Sequence, residues 1–549
     1  MTPDIHDLLQ PSSDSEITES DAIAALVLSA TNDENPRVSL DQIYSALCQS
    51  RSESHLDPLN MLPHLLPSSQ PAAKNLIALI GECSSAKEVL IAVQEILERV
   101  DTTLSLEMEE EEEEHDDASR ASPTDQLISL ISLYNSAIPR LKLRKKSPSE
   151  TIQPLLPQIE STIQLAGSRL TRSQGCEIIS GVSNLSLSVL SWATSLNQED
   201  SAACQEILKP FLETALSVCS HCIQSARAQR SFETLYPRLT IRSTVSPGWE
   251  DGEKAIDDAL TAYSSFGPTL DLDTLPPVPS TSYLILTAHC NKVPADVCRF
   301  LTFMLPIFVA SIQTNDALDE TLSLLLQLLH PSHFPPAQQL SPDISGPFCA
   351  LLPTLASAHP DGDTRHQAFR ILSRVLTLTP PELRLQILKE LTTDAEFPQM
   401  RVAAVGLVKE ALLEFLSRET PSIFASPIFL RVFGPVLLRP DPVDLFHADL
   451  SLSDIEDSSE PSRLVECLSL YYILLLRDNL NRTGIRDEDQ IANVERMLLA
   501  PLRLILSRWM DDPTLAEEHM HAIMPLVSLK TSLERVDVAV VDLQSRSKV

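Results

Sequence analysis

The chain has 549 residues, of which 43% are hydrophobic, and a formal net charge of −33. This length exceeds one compact core and suits several domains or one elongated array of repeats. The negative charge repels nucleic-acid phosphates and anionic membranes, so we expect neither as a partner. Only 12 Gly are present, whereas 40 Pro fall mostly between apolar stretches, where they punctuate helices. The composition therefore predicts an all-α protein.

The N-terminus and the cysteines predict the compartment. Residues 1–7 are polar and acidic, without the basic and apolar regions of a secretory signal. Ten Cys are spread along the chain without the density of a disulfide scaffold, which suits a reducing compartment. The apolar runs at 300–312 and 468–476 are shorter than the ~20 residues of a membrane span. We expect a cytoplasmic protein, with the nucleus as an additional location.

Helical periodicity and its interruptions divide the chain into predicted segments. Apolar residues recur at helical spacing through most of the sequence, and two acidic stretches and one Pro-rich stretch break the pattern. In chain order we predict N-terminal helical repeats at 1–105, an acidic disordered linker at 106–123, helical repeats at 124–230, a Pro-rich irregular segment at 231–282, HEAT-like repeats at 283–449, an acidic loop at 450–461, and C-terminal helical repeats with a tail at 462–549.

Two runs of charge have functional interpretations. Residues 107–117 are almost wholly acidic and would suit a basic partner, although their composition favours a solvated linker. Residues 140–146, Arg-Leu-Lys-Leu-Arg-Lys-Lys, form the densest basic run. Such a run could direct nuclear import. The interpretation that we favour is a helix C-terminus whose cations complement the helix dipole.

An internal repeat indicates the architecture. The run that starts at Arg365 aligns with the run that starts at Arg401, and Ala368 falls opposite Ala404, so the offset is thirty-six residues. A period of roughly 30 to 47 residues with helical patterning is typical of stacked helix pairs, which usually bind other proteins along a long surface. We therefore predict a HEAT/armadillo-like α-solenoid of stacked helix pairs with acidic disordered inserts.

The run from Cys219 to Cys222, Cys-Ser-His-Cys, is the motif with the clearest chemical potential. Two Cys at this spacing can form a dithiol couple or half of a zinc site. Because no second Cys pair follows and no strand precedes, we favour an ordinary helical role, with a thiol-active redox role as the alternative. The sequence has no phosphate-binding Gly-rich loop, no GxSxG and no HExxH. We predict a non-enzymatic protein with no catalytic residue, cofactor or metal.

Trp509 ends an apolar helical pattern near the C-terminus. Aromatic residues make up only 5% of the chain, so an exposed Trp here would be a candidate anchor for a partner protein. Burial among the last repeats is the interpretation that we favour.

Two runs resemble a known family. Residues 397–410, Phe-Pro-Gln-Met-Arg-Val-Ala-Ala-Val-Gly-Leu-Val-Lys-Glu, look like the most recognisable segment of the glomulin family. That family joins animal glomulin, the plant aberrant-lateral-root-formation protein and the fungal Yap-binding or kinetochore-associated proteins. Residues 463–478, followed by Thr-Gly-Ile at 483–485, are similar to the C-terminal region of these proteins. The resemblance extends over about residues 283–533 and rests on packing patterns.

The resemblance implies a HEAT-like binding protein. Glomulin-type members bind the RING subunit of cullin-RING ubiquitin ligases through their C-terminal repeats and exclude the ubiquitin-conjugating enzyme. Fungal relatives support the response of a stress transcription factor to peroxide, or associate with kinetochores. The resemblance therefore implies protein partners, either a cullin-RING subunit or a stress transcription factor, with a kinetochore-associated scaffold as a further alternative. We expect the partner surface in the C-terminal repeats at 399–533.

Overall fold

The fold is known from a computed structural model, which describes residues 19–33, 36–50, 56–107, 120–240, 247–267, 270–334, 338–394, 396–418, 420–441, 445, 458–511 and 520–547. Within these ranges the secondary structure is helical, apart from one isolated bridge between Ser68 and Arg120. The predicted all-α, solenoid-like class is confirmed. Residues 108–119 of the predicted acidic linker and 450–457 of the predicted acidic loop lie outside the described ranges.

The chain divides into two compact units, Met1–Leu324 and Leu325–Val549. The helices of unit 1 are α1 (Glu19–Asn32), α2 (Leu40–Ser50), α3 (Pro58–Leu65), α4 (Pro71–Cys83), α5 (Ala86–Glu107), α6 (Pro123–Ala137), α7 (Pro148–Ile152), α8 (Leu156–Ala166), α9 (Arg172–Leu196), α10 (Ser201–Val218), α11 (Arg227–Leu235), α12 (Trp249–Ser265), α13 (Thr281–His289) and α14 (Val297–Thr314). Short 3₁₀ turns lie at Ile138–Arg140, Gly167–Arg169 and Ser220–Cys222.

Helix α15 (Leu318–Leu328) contains the division between the two units. Unit 2 continues with α16 (Pro342–Ala358), α17 (Gly362–Leu378), α18 (Pro381–Thr393), α19 (Pro398–Leu416), α20 (Pro427–Leu437), α21 (Glu460–Arg477), α22 (Glu488–Val494), α23 (Ala500–Met510) and α24 (Met520–Ser547). A 3₁₀ turn lies at Ile423–Ala425, and a π-helical turn at Glu495–Leu499 joins α22 to α23.

Helices in each unit pack against near neighbours along the chain. In unit 1, α1 contacts α3, α2 contacts α4, α3 contacts α5 and α4 contacts α6. In unit 2, α16 packs on α17, α18 packs on α19 and α20, and α21 packs on α19 and α24. Many helices begin with Pro in their first turn, where no intrahelical N–H is lost. Local stacking of this kind is the arrangement that a solenoid of helix pairs requires.

The internal repeat lies on α17 and α19. These helices begin at Gly362 and Pro398, so their starts are separated by the offset of thirty-six residues seen in the sequence. Five buried positions of α17 each have a buried counterpart thirty-six residues later in α19. The pairs are Ala368 and Ala404, Ile371 and Leu407, Leu372 and Val408, Val375 and Ala411, and Leu376 and Leu412. The repeated apolar face is therefore the face that each helix buries.

The segment predicted to be irregular at 231–282 contains helix α12. Its small side chains Ala255, Ala259 and Ala262 are buried at helical spacing and pack α12 against α9. A Cβ at Gly252 would lie 1.7 Å from the carbonyl oxygen of Ile223, so only Gly permits this approach. The prediction failed because flanking prolines and acidic residues masked a stripe formed mainly by Ala.

The basic run at 140–146 does not form the helix C-terminus that we favoured. Arg140 ends a 3₁₀ turn, and residues 141–146 are not helical. The Arg140 guanidinium does complement a helix end, but the helix is α4, where it donates to the carbonyls of Gly81 and Ser84. The next helix, α7, begins at Pro148.

Arginine side chains also cap helix C-termini in unit 2. Arg365 donates to the carbonyls of His359 and Pro360 at the end of α16. Arg463 is 2% exposed and donates to the carbonyls of Val436 and Arg439 at the end of α20. It also forms two hydrogen bonds of 2.6 Å with the Glu460 carboxylate. These contacts satisfy carbonyls that have no partner within their own helix.

One described helix, α14 at Val297–Thr314, is long and apolar enough to cross a membrane by length and composition alone. It extends beyond both ends of the apolar run that we counted at 300–312. Its buried side chains include Phe300, Leu301, Met304 and Phe308. A core helix passes the same test, so the finding is weak evidence for a membrane span.

We predict that Ala404→Asp destabilises unit 2. Ala404 is fully buried, so the variant places an unpaired carboxylate among apolar side chains, at a cost of roughly 3–5 kcal/mol. The measurement is thermal unfolding of the full chain followed by circular dichroism. Ala358→Asp, at an exposed position of α16, introduces the same charge and serves as the control. Equal melting temperatures for the two variants would show that Ala404 does not lie in the core.

Candidate functional site

The two cysteines of the Cys219–Cys222 motif are both buried. Cys219 lies at the C-terminal end of α10, and Cys222 ends the following 3₁₀ turn. The Cys222 thiol donates to the carbonyl of Leu170, and Cys176 donates to the carbonyl of Cys222. A Cβ at Gly175 would lie 2.4 Å from the sulfur of Cys222, so the thiols are packed tightly against α9. The motif is part of the core of unit 1.

Burial also opposes ionisation of these thiols. It raises the pKa of Cys222 to about 11 and raises the pKa of Cys219 further. The thiolate is the nucleophile in thiol–disulfide exchange, so a raised pKa and lack of access both slow the reaction. These features disfavour the redox interpretation of the pair.

Trp509 is also buried, with 4% of its surface exposed. It lies in the last turn of α23, beside the buried residues Ile505 and Leu506. Its position agrees with the core role that we favoured and disfavours a role as partner anchor. Other apolar side chains of this region are exposed, including Leu480, Leu504 and Val541.

Leu480 lies on a closely bonded loop, residues 478–487, which we call the Leu480 loop. Asp478 is buried at the end of α21 and accepts hydrogen bonds from the backbone N–H groups of Arg482 and Thr483, each at 2.8 Å. It also accepts the Thr483 hydroxyl at 2.7 Å. Ile485 is fully buried beneath the loop. The loop is therefore fixed from inside, yet Leu480 is 81% exposed.

Two arginines tie the same loop to neighbouring helices. Arg482 donates to the carbonyls of Leu416 and Arg418 at the end of α19. Arg486 donates to the carbonyl of Leu475 in the last turn of α21. Gly484 adopts φ +83°, a left-handed conformation that favours Gly. The loop thus caps two helices and holds Leu480 on a rigid support.

A groove of about 1300 Å³ adjoins the Leu480 loop, and we call it the C-terminal groove. Asn481 of the loop donates to Asp487, which lies on the rim of the groove. The groove runs between α22 and the C-terminal half of α24. It is lined by Arg486, Asp487, Glu488, Ile491, Ala492, Glu495, Arg503, Asp537, Val540, Val541, Leu543 and Gln544.

Arg503 joins the two walls of the C-terminal groove. Its guanidinium donates to Glu495 at 2.5 and 3.1 Å and to Asp537 at 3.1 and 2.5 Å. Hydrogen bonds to Asp537 and Glu495 hold the pKa of Arg503 above its ordinary value. Glu495 begins the π-helical turn, a feature that often occurs at functional sites. Ile491, Val540 and Val541 provide apolar surface beside this charged bridge.

Residues 281–533 match the family described as "Uncharacterised protein family, YAP/Alf4/glomulin". This part of the chain is similar to that family. The match confirms the resemblance inferred from residues 397–410 and 463–485 and agrees with its predicted extent. It includes the Leu480 loop and one wall of the C-terminal groove, whereas the groove residues from Asp537 onward lie beyond it. No curated protein matches the chain.

Sequence reasoning missed Leu480 and Arg503. The signal for the loop was an apolar residue between Asn479 and Asn481, followed by Gly484, since Asn and Gly favour turns. Nothing in the sequence shows that Arg503 meets Asp537. Among the described residues no group of His, Cys, Asp and Glu is placed to hold a metal ion. His330 and His333 lie in one turn, where their ring nitrogens face Ser332 and the carbonyl of Gln327.

We predict that alkylation separates the cysteines by burial. In the folded chain at pH 8, iodoacetamide should modify the exposed Cys48 and Cys83 and leave Cys219 and Cys222 unmodified. Mass spectrometry of tryptic peptides gives the extent at each site, and a urea-unfolded sample provides the control for full reaction. A Cys219–Cys222 disulfide formed in the native protein under mild peroxide would revive the redox interpretation.

Proposed function

We propose that the chain is a non-enzymatic scaffold whose partner protein docks on the Leu480 loop and the C-terminal groove. The exposure of Leu480 on an internally bonded loop is the observation that carries this proposal. An apolar side chain held in place loses little conformational freedom on binding, so more of its contact energy contributes to affinity. The match of residues 281–533 to the YAP/Alf4/glomulin family supports a protein-binding role.

The charges around the groove define the partner that would fit. Its rim carries Asp487, Glu488, Glu495 and Asp537. Arg503 pairs with Glu495 and Asp537, whereas Glu488 has no ion pair with any residue that the structure describes. We infer a partner with an apolar side chain flanked by Lys or Arg. Such a pairing favours association at low ionic strength.

Two partner classes follow from the family resemblance. The first is the RING subunit of a cullin-RING ubiquitin ligase, because glomulin-type members use their C-terminal repeats for this contact. The second is a stress transcription factor, as for the Yap-binding relatives. We place the RING subunit first because the Leu480 loop and the groove lie at the same end of the chain. A cytoplasmic location, with access to the nucleus, is compatible with both classes and is part of the proposal.

The redox alternative requires an accessible thiol pair. Cys219 and Cys222 are both buried, and burial raises the pKa of both thiols. A scaffold needs neither a reactive thiol nor a metal. It needs a contact surface for its partner, which the Leu480 loop provides in this proposal. We therefore favour the scaffold over the thiol-active role.

We predict that Leu480→Asp weakens partner binding at least roughly thirtyfold, as expected for loss of a central apolar anchor. Isothermal titration calorimetry of the full chain against a purified cullin–RING subunit complex, and separately against a stress transcription factor, measures the effect. Val278→Asp replaces another exposed apolar residue, 70% exposed and outside the family segment, and should bind normally.

The outcomes separate the site from the partner. If the wild-type chain binds neither probe, the partner assignment is wrong. If the wild type binds and Leu480→Asp binds equally well, the partner docks elsewhere on the chain. Hydrogen exchange of both variants, measured over α19 and α21, establishes that the loop substitution leaves its supporting helices intact.

A further inference from the structure

Unit 1 contains a second groove, which combines apolar surface with cations. It has a volume of about 480 Å³ and lies between the first turns of α5 and the basic run at 140–146. We call it the basic groove. Lys87, Lys142, Arg144, Lys145 and Lys146 all line it. Among the residues that the structure describes, no acidic one lines it, although the chain as a whole carries a net charge of −33.

The apolar part of the basic groove is contributed by both walls. Leu90 and Ile91 lie on α5, and Leu141 and Leu143 alternate with the cations of the basic run. Ile91 is 55% exposed, in the second turn of the 22-residue helix α5, and the adjacent Leu90 is buried. Apolar side chains interleaved with Lys and Arg can hold an anionic peptide and also anchor one of its apolar residues.

Bonds at both ends hold the basic run in place. At its first residue, Arg140 donates to the carbonyls of Gly81, Ser84 and Ser136. After it, Ser147 and Glu150 form a reciprocal capping box that begins α7. Between these anchors, the side chains of Lys142, Arg144, Lys145 and Lys146 form no hydrogen bond or ion pair with any residue in the described ranges. The cations are therefore presented to solvent on a positioned backbone.

The acidic tract of the same chain is too short to fill this groove. It follows Glu107, and Ile91 lies sixteen residues earlier on α5, or about 24 Å along the helix. The chain resumes at Arg120, and α6 with its 3₁₀ turn separates that end from Leu141 by roughly 26 Å more. A path to the groove and back needs about 50 Å, whereas the thirteen Cα–Cα steps from Glu107 to Arg120 span at most about 47 Å.

We propose that the basic groove is a second docking site, which binds an acidic peptide segment with an apolar residue from a different protein. A second copy of this chain is disfavoured as the source, because two molecules of net charge −33 repel each other. The proposal does not depend on the C-terminal groove or on its partner. It assigns to residues 140–146 a contact role in the folded protein, beyond the interpretation as an import signal.

The test uses fluorescence anisotropy of the full chain with a labelled twelve-residue peptide in which Asp and Glu surround two Leu. We expect saturable binding that weakens as salt is raised. The double variant Lys145→Glu/Lys146→Glu should weaken binding at least roughly tenfold. The control Lys74→Glu/Lys254→Glu makes the same change of net charge at exposed positions elsewhere in unit 1 and should change the affinity less than about twofold.

A second pair of variants tests the apolar surface. Ile91→Asp should weaken peptide binding, whereas Leu196→Asp, at a side chain of similar exposure (53%), should not. A peptide with Ser in place of both Leu should bind at least roughly tenfold more weakly than the Leu peptide. The proposal would be overturned if the two double Lys variants lost the same amount of affinity for the peptide. It would also be overturned if the Ser peptide bound as tightly as the Leu peptide. If phosphatidylserine vesicles or duplex DNA displaced the labelled peptide more strongly than unlabelled peptide does, the proposal would also be overturned, because the ligand would then be a membrane or a nucleic acid.

Discussion

The described part of the structure depends on arginine side chains that satisfy the carbonyls at helix C-termini. An array of short helices has many such ends, and each leaves carbonyl groups without an intrahelical partner. The planar guanidinium can reach two carbonyls at once, as Arg365, Arg463 and Arg482 do, whereas a Lys ammonium is a point donor. This requirement accounts in part for the excess of 30 Arg over 12 Lys.

The same interaction connects the fold to the proposed function. Arg482 and Arg486 cap α19 and α21, and both belong to the loop that exposes Leu480. In unit 1, Arg140 caps α4 and fixes the start of the basic run. At each proposed docking site, a cap that stabilises the helices therefore also holds the contact residues in place. Binding would then require little rearrangement of the free protein.

The all-α class and the repeat offset could be predicted from the sequence because both follow from apolar periodicity. The family resemblance rests on the residue runs at 397–410 and 463–485. Ala368 and Ala404 occupy equivalent positions of the repeat and are both buried, so the apolar pattern in the sequence corresponds to the buried face of each helix. Long-range polar contacts could not be predicted. Arg140 reaches carbonyls more than fifty residues earlier, and Arg503 meets Asp537 across thirty-four residues. Trp509, chosen as a possible anchor for its rarity, is buried, whereas the exposed Leu480 belongs to the commonest apolar type.

The most direct test of the capping role is hydrogen exchange of α20 and α21 in an Arg463→Lys variant. Lysine keeps the charge but cannot bind Glu460 in two places while also reaching the carbonyls of Val436 and Arg439. Exchange in both helices should accelerate by a factor that corresponds to roughly 2–4 kcal/mol. Arg477→Lys, at an exposed position on α21, should leave exchange unchanged. Equal protection in the two variants would contradict the dependence of the fold on arginine caps.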